Sequence, residues 1–147
     1  MATMRWMIRR DIAEVTWIEN ECFEYPWCEE DFFNCLRARS VIGRIVEQDE
    51  QVVGYMVYKL FRNKVQLWNF AVHPEFQRMR VGTQMMNQLR RVLDKRRSIM
   101  LLEVRESNLD AQLFFKECGF RAMSILKRSY ADTDEDAYVM RFMESTT

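Results

Sequence analysis

Histidine occurs once in the 147 residues, as His73, proline twice and glycine four times. A lone histidine gives a Cys/His zinc cluster little to draw on. The four cysteines, Cys22, Cys28, Cys35 and Cys118, contain no C-x-x-C pair of the kind that marks zinc or redox sites. With so few chain breakers and no low-complexity tract, extended disorder is not expected. Neither sign of charge is in excess: 22 Lys and Arg balance 22 Asp and Glu. Nucleic-acid binders need a basic surplus to neutralise phosphates, so no direct nucleic-acid partner is expected. The local basic run Lys95-Arg96-Arg97, just after Arg90 and Arg91, reads as a solvated helix end complementing the helix dipole. No apolar run reaches the roughly 18 residues of a membrane span, and no signal-peptide core of about 7–15 residues opens the sequence. A cytoplasmic, reducing setting with free thiols, and no membrane association, is the expectation.

What is present suits a single domain over residues 1–147. Hydrophobic residues make up 48%, enough for a core, and charged residues 30%, enough for a surface. Residues 6–9 read as a first strand. Asp11 opens a helix with Glu14 three residues on, a capping-box pattern, and Ile12, Val15, Ile18 and Cys22 keep helical spacing. Pro26 interrupts, and a second helix is expected over 28–36. Three strands follow at 41–47, 52–61 and 65–72, joined by short polar turns into an antiparallel meander. A helix is expected over 81–96 and a buried strand over 99–104. A further helix is capped by Ser107 or Asn108 and stopped by Gly119, and the last strands fall at 120–126 and 137–142. The order β-α-α-β-β-β-α-β-α-β-β implies an α/β fold, a mixed central sheet with helices on both faces. Trp6, Trp17 and Trp68 are expected in the core.

Two segments carry chemistry. The first runs from Phe70 to Thr83 as strand, tight loop and helix start. Such a junction presents backbone N–H groups and the positive end of a helix dipole, which suits a pyrophosphate, and Gly82 leaves room for it. One glycine is equally compatible with an ordinary strand-to-helix connection. The second is Leu101-Leu102-Glu103-Val104-Arg105-Glu106-Ser107-Asn108. A carboxylate within an apolar strand costs free energy unless paired or wetted, and burial would raise its pKa towards that of a general base. The alternative is a structural Glu103 paired with Arg105. His73, before Pro74, reads as a turn residue, and Cys118 as a helix-end residue. No Cys-His pair suggests an acyl-enzyme.

A Q-R-x-x-V-G-T loop, an L-E-V-R-E-S-N strand and a helix ending in C-G-F, in that order, resemble the GNAT acetyltransferase superfamily. Within it, Leu102 to Asn108, Trp68-Asn69-Phe70-Ala71-Val72 and Tyr25-Pro26-Trp27 are similar to the RimI-type ribosomal-protein N-terminal alanine acetyltransferases. The resemblance covers about Met7 to Phe142. It implies a GNAT-like acyl-CoA N-acyltransferase fold and acetyl-CoA as co-substrate, with no metal. It implies an amine acceptor, above all a protein N-terminus such as that of a ribosomal protein. It further implies that Gln77, Arg78, Met79, Arg80, Val81, Gly82 and Thr83 bind the CoA pyrophosphate and that Phe70, Ala71 and Val72 hold the pantetheine arm. Asn108 would contact the cofactor, Glu103 would be the general base, and Tyr25, Pro26, Trp27 and Tyr130 would face the acceptor. Trp27 equally suits a role pinning two helices together.

Two positions depart from the family pattern. Arg80 stands at the first glycine of the phosphate loop, where it adds a cation; a positive φ there would carry a backbone cost, and an αR-compatible loop would not. Phe115 stands where relatives carry a tyrosine that protonates the departing thiolate. A thiol of pKa about 8.5 leaves without much help, and Tyr130 or water could supply a proton. The rival readings are an acetyltransferase for lysine or a small-molecule amine, and a catalytically weak CoA-binding module. The oligomeric state is not encoded in any motif.

Overall fold

The structure, a computed structural model, describes residues 2–130 and 134–144. Its elements follow the order β-α-α-β-β-β-α-β-α-β-β, and the strands of the mixed sheet are arranged as first, second, third, fourth, fifth, seventh, sixth. The chain's contacts cluster into two compact units.

The first unit comprises Met1–Leu60 and Trp68–Arg90. It holds β1 (Thr3–Trp6), α1 (Ile12–Cys22), α2 (Glu29–Arg37), β2 (Val41–Gln48), β3 (Gln51–Leu60), the outer half of β4 (Lys64–Val72) and α3 (Val81–Arg90). β1 and β3 flank β2, both antiparallel to it. The β2–β3 turn is made by Asp49 (φ 52°) and Glu50 (φ 63°), a pair of left-handed residues that matches the twist of a two-residue hairpin. Ile12, Val15 and Ile18 of α1 pack with Phe32 of α2, Ile45 of β2 and Tyr55 and Val57 of β3 in one buried cluster.

Several local expectations are corrected here. β1 lies at Thr3–Trp6 rather than 6–9, because Arg9–Asp11 form a 3-10 turn instead. Asp11 does not cap α1 with its side chain. Its carboxylate accepts from the Ile8 amide at 2.8 Å and takes both terminal nitrogens of Arg5 at 2.9 Å. Burial works against the Asp11 charge, but Arg5 and the Ile8 amide outweigh it and hold the carboxyl below the usual range. Glu14 accepts from the Val52 amide and does not close a box. The tryptophans expected in the core are outside it: Trp6 is 61% exposed, Trp17 50% and Trp68 40%. For Trp68 the cause is strand alternation, since Val65, Leu67, Asn69 and Ala71 take the buried face of β4.

The second unit comprises Phe61–Leu67 and Arg91–Thr147. It holds the inner half of β4, then β5 (Ile99–Arg105), α4 (Leu109–Glu117), β6 (Arg121–Tyr130) and β7 (Glu135–Met143). β5 runs parallel to β4 over Lys64–Leu67 and antiparallel to β7, which pairs in turn with β6. The parallel register stops at Leu67 and Leu102, whereas β4 runs on to Val72 and β5 to Arg105. Asn108 caps α4, its side chain accepting from the Ala111 amide at 3.2 Å. Gly119 follows the helix at φ 100°, and a Cβ there would stand 3.2 Å from the Phe142 ring. The helix expected over 81–96 ends at Arg90. Asp94 diverts the chain: its carboxylate accepts from the Arg96 and Arg97 amides, a local turn that competes with helix. No described helix is long and apolar enough to cross a membrane.

Candidate functional site

In the first unit the segment after β4 has the backbone that a phosphate loop needs. Arg78 (φ 66°) and Arg80 (φ 65°) are both left-handed, immediately before the first turn of α3. The αR-compatible alternative for Arg80 is therefore corrected: a non-glycine residue does occupy a left-handed conformation, at a cost of about 1–2 kcal/mol. Left-handed residues alternating with ordinary ones turn successive amides towards one side, a nest that favours anions, and the dipole of α3 adds to it. Arg78, Met79 and Arg80 are exposed, Val81 is buried, Gly82 is half-buried and Thr83 is exposed. The donor set fits a diphosphate: backbone amides, a helix start and two guanidinium side chains.

Replacing Arg80 with glycine removes one cation and the backbone cost together. The R80G protein is expected to bind CoA about two- to fivefold more weakly at low salt, with a shallower salt dependence. Titration of CoA affinity against salt checks this, and unchanged affinity with unchanged slope would remove Arg80 from the phosphate contacts.

The end of β4 is tied to its surroundings by side chains. The Val72 carbonyl accepts from the Cys22 thiol at 3.3 Å and from Gln77 Nε2 at 3.0 Å, so the Gln77 side chain folds back on the strand. Burial, reinforced by the nearby Glu19 and Glu21 charges, pushes the Cys22 thiol up to about 11. His73 is buried; its Nδ1 accepts from the Glu75 amide, and its ring packs against Trp17 and Phe76. That is the expected turn role. Ala71 is buried, with Phe70 and Val72 half-buried beside it.

The loop between α1 and α2 exposes Tyr25 and Pro26 and half-buries Trp27, whose ring tilts against Phe32 at 5.2 Å. Behind it lies a group of residues not anticipated from the sequence. The Glu19 carboxylate, 2% exposed, accepts from the Trp27 amide at 2.9 Å, from Asn69 Nδ2 at 2.7 Å and from the Tyr55 hydroxyl. Burial pushes the Glu19 carboxyl up, against those three hydrogen bonds, which favour its charged form. Burial and the Glu19 charge also push the Tyr55 phenol up. A signal for Glu19 was present: it stands four residues after Val15 and three before Cys22, inside the apolar stripe of α1.

In the second unit Glu103 is exposed, which corrects the expectation of a buried carboxylate. Met100, Leu102 and Val104 take the buried face of β5, and Glu103 alternates to the other, in register with Val139 of β7. Arg105 is turned to Glu135, at 3.7 Å, and its guanidinium lies 3.9 Å from the centre of the Tyr130 ring. Tyr130 is thus held by a cation stacked on its ring. Asn108 spends its carbonyl oxygen on the α4 cap. Phe115 is buried in an aromatic cluster, edge-on to Phe114 and Phe120. An apolar groove of about 870 Å³ is lined by Leu109, Leu113, Phe120, Tyr138 and Met140, and none of the anticipated site residues borders it.

Comparison with known proteins gives these features a family context. Residues 12–120 match the model of the acetyltransferase (GNAT) family. A Salmonella typhimurium ribosomal protein bS18-alanine N-acetyltransferase is 29% identical over 143 residues, 95% of this chain and 96% of its own length. The crystal structure of the Escherichia coli ribosomal-protein-S18-alanine N-acetyltransferase superposes with a TM-score of 0.86 at 26% identity, covering 100% of this chain and 96% of the other. Ard1 from Thermoplasma volcanium superposes with a TM-score of 0.85 at 27% identity, covering 98% of each chain.

Proposed function

The chain belongs to the GNAT acetyltransferase family, and from that premise we propose that it acetylates the α-amine of a protein N-terminus, foremost an N-terminal alanine of a ribosomal protein. The observation that carries this reading is the end-to-end correspondence with the Salmonella bS18-alanine enzyme, which leaves neither chain with a substantial unmatched segment. As a GNAT acetyltransferase the chain draws its acetyl group from acetyl-CoA, whose thioester supplies the activated acyl carbon. Its phosphates suit the loop at Gln77 to Thr83, where Arg78 and Arg80 are left-handed, and its pantetheine arm suits the backbone of Phe70, Ala71 and Val72. Asn108 would contact it from the α4 cap.

The amine must be neutral to attack. An α-amine has a pKa of about 7.7–8.0, so a minority is already neutral at pH 7, and Glu103 takes the remaining proton, directly or through water. A lysine amine, at about 10.4, would demand more of the base. The nitrogen–carbon bond forms as the carbon–sulfur bond breaks, and the electron pair leaves on sulfur. With a thiol pKa of about 8.5 the thiolate needs little protonation, so Phe115 is compatible with turnover although it has no hydroxyl. Tyr25, Pro26 and Trp27 border the acceptor, and Tyr130, its ring under Arg105, faces it. In this role Arg105 fixes the ring that the peptide meets.

Purified protein with acetyl-CoA and peptides beginning with Ala, Ser or Met tests the reading, with acetylated peptide measured by mass. Turnover with an Ala start at least about tenfold above a lysine-only peptide is expected, the scale of discrimination that one acceptor pocket supplies. Turnover with lysine or a small amine instead would move the acceptor class. Tight CoA binding with no turnover on any amine would favour a binding module, the reading that the buried Phe115 motivates.

A further inference from the structure

The Glu19 group is a buried polar cluster in the first unit, and none of the roles assigned above uses it. A carboxylate is costly to bury unless its lone pairs are met. Here three hydrogen bonds meet them, shared between both oxygens. One oxygen takes the Tyr55 hydroxyl and Asn69 Nδ2, and the other takes the Trp27 amide. A leucine would fill the inward position of α1 without that cost, so the carboxylate is there for what it holds. With both oxygens occupied and 2% exposure, it has no access to a substrate proton.

The partners come from three separate places. Tyr55 lies mid-β3 and Asn69 on the outer half of β4. Trp27 lies in residues 23–28, which form no helix or strand. Asn69 extends the chain one step further, for its Oδ1 accepts from the Phe70 amide at 2.8 Å. A continuous line of hydrogen bonds therefore runs from the Trp27 amide through Glu19 and Asn69 to the backbone of Phe70. One end is the loop assigned to the acceptor; the other is the strand assigned to the pantetheine arm.

We propose that Glu19 is a positioning residue for acetyl transfer, fixing the Tyr25-Pro26-Trp27 loop against the Phe70 segment so that the acceptor is presented in register with the donor. This rests on the acceptor reading above. The line is specific to a carboxylate. Glutamine has one acceptor oxygen and one amino group. If its oxygen stays with Tyr55 and Asn69, its amino group faces the Trp27 N–H, donor against donor. If it flips, the amino group faces Asn69 Nδ2, and Asn69 must turn away from Phe70 to answer it. Either way the line breaks at one point while side-chain volume is kept.

The test is E19Q in the full chain, with initial rates over a range of Ala-start peptide, acetyl-CoA affinity by calorimetry, and amide hydrogen exchange. The expected result is a peptide KM raised about tenfold or more, the scale of a small misplacement of a reacting group. The acetyl-CoA Kd is expected to change less than about twofold, and saturating kcat to fall less than KM rises. An unchanged peptide KM would overturn the proposal. So would a loss of acetyl-CoA affinity as large as the rise in KM, which marks general loosening. Exchange on the wild-type chain asks the question without a variant: the Trp27 amide should exchange far more slowly than that of Glu24. A wild type that turns over peptide while Trp27 exchanges as fast as Glu24 would overturn the Glu19 role alone. A wild type inert towards every peptide, with Trp27 protected, would overturn the acceptor reading and this role with it.

Discussion

Glutamine in place of Glu103 is expected to lower kcat/KM for an N-terminal peptide by about 10²–10⁴-fold, the range that a general base contributes. Acetyl-CoA affinity should stay close to that of the parent, because no phosphate or pantetheine contact is assigned to this side chain. Folding stability should change by less than about 0.5 kcal/mol, since Glu103 is exposed while Met100, Leu102 and Val104 do the packing of β5. This separation makes the variant informative: turnover collapses in a protein that folds and binds normally. Rates at rising pH refine it, since an acceptor that deprotonates by itself should narrow the gap between E103Q and the parent. Full activity in E103Q at neutral pH would mean that the base is another group, or that the neutral fraction of the amine suffices.

The largest stability effect is expected at Phe32. Its side chain is fully buried, edge-on to Tyr55 at 5.7 Å and tilted against Trp27 at 5.2 Å. Phe32→Ala deletes a ring from the junction of α2, β3 and the 23–28 loop, and should cost about 3–5 kcal/mol. In a chain of this size that lowers Tm by roughly 10–15 °C. Denaturant unfolding should show a lower midpoint at a similar slope, which distinguishes lost stability from a changed unfolded state. Phe32→Leu, which keeps most of the volume, should lose about 1.5 kcal/mol or less. An alanine variant within about 1 kcal/mol of the parent would show that the site collapses around the gap. The same ring packs against Trp27, so peptide KM should worsen in F32A even well below its Tm.

The sequence was legible where local chemistry and tertiary packing agree. The Asn108 cap and the left-handed Gly119 after α4 each follow from a residue's own preferences, and the β2–β3 hairpin from its short polar turn between two apolar runs. It misled where a side chain chose a nearby partner other than the helix that its position suggests. Asp11 prefers Arg5 to the helix it precedes, and Asp94 curls onto its own following amides and ends α3 early. For Trp68 large apolar size misleads because strand phase decides; Asn69, not Trp68, has the inward phase of β4. In the segment proposed for the phosphates, the left-handed Arg78 and Arg80 could not be read, because arginine alone predicts the opposite. Glu19 stayed hidden for a related reason. Helical spacing put a carboxylate in the apolar stripe, and its meaning depends on Tyr55 and Asn69, 36 and 50 residues away.

The thiols differ in a way that matters to anyone labelling this protein. Cys22, donating to the Val72 carbonyl and pushed up to about 11, stays protonated at neutral pH and should alkylate slowly. Cys28 is exposed at the start of α2, its amide and thiol both turned to Asp31. A maleimide or disulfide reagent should therefore find Cys28 before Cys22, and would attach its adduct one residue from Trp27. Spectroscopic counting of released CoA by such a reagent would carry a background from Cys28 and would alter the loop under study. Serine at Cys28 would remove that handle while leaving the helix a better capping hydroxyl.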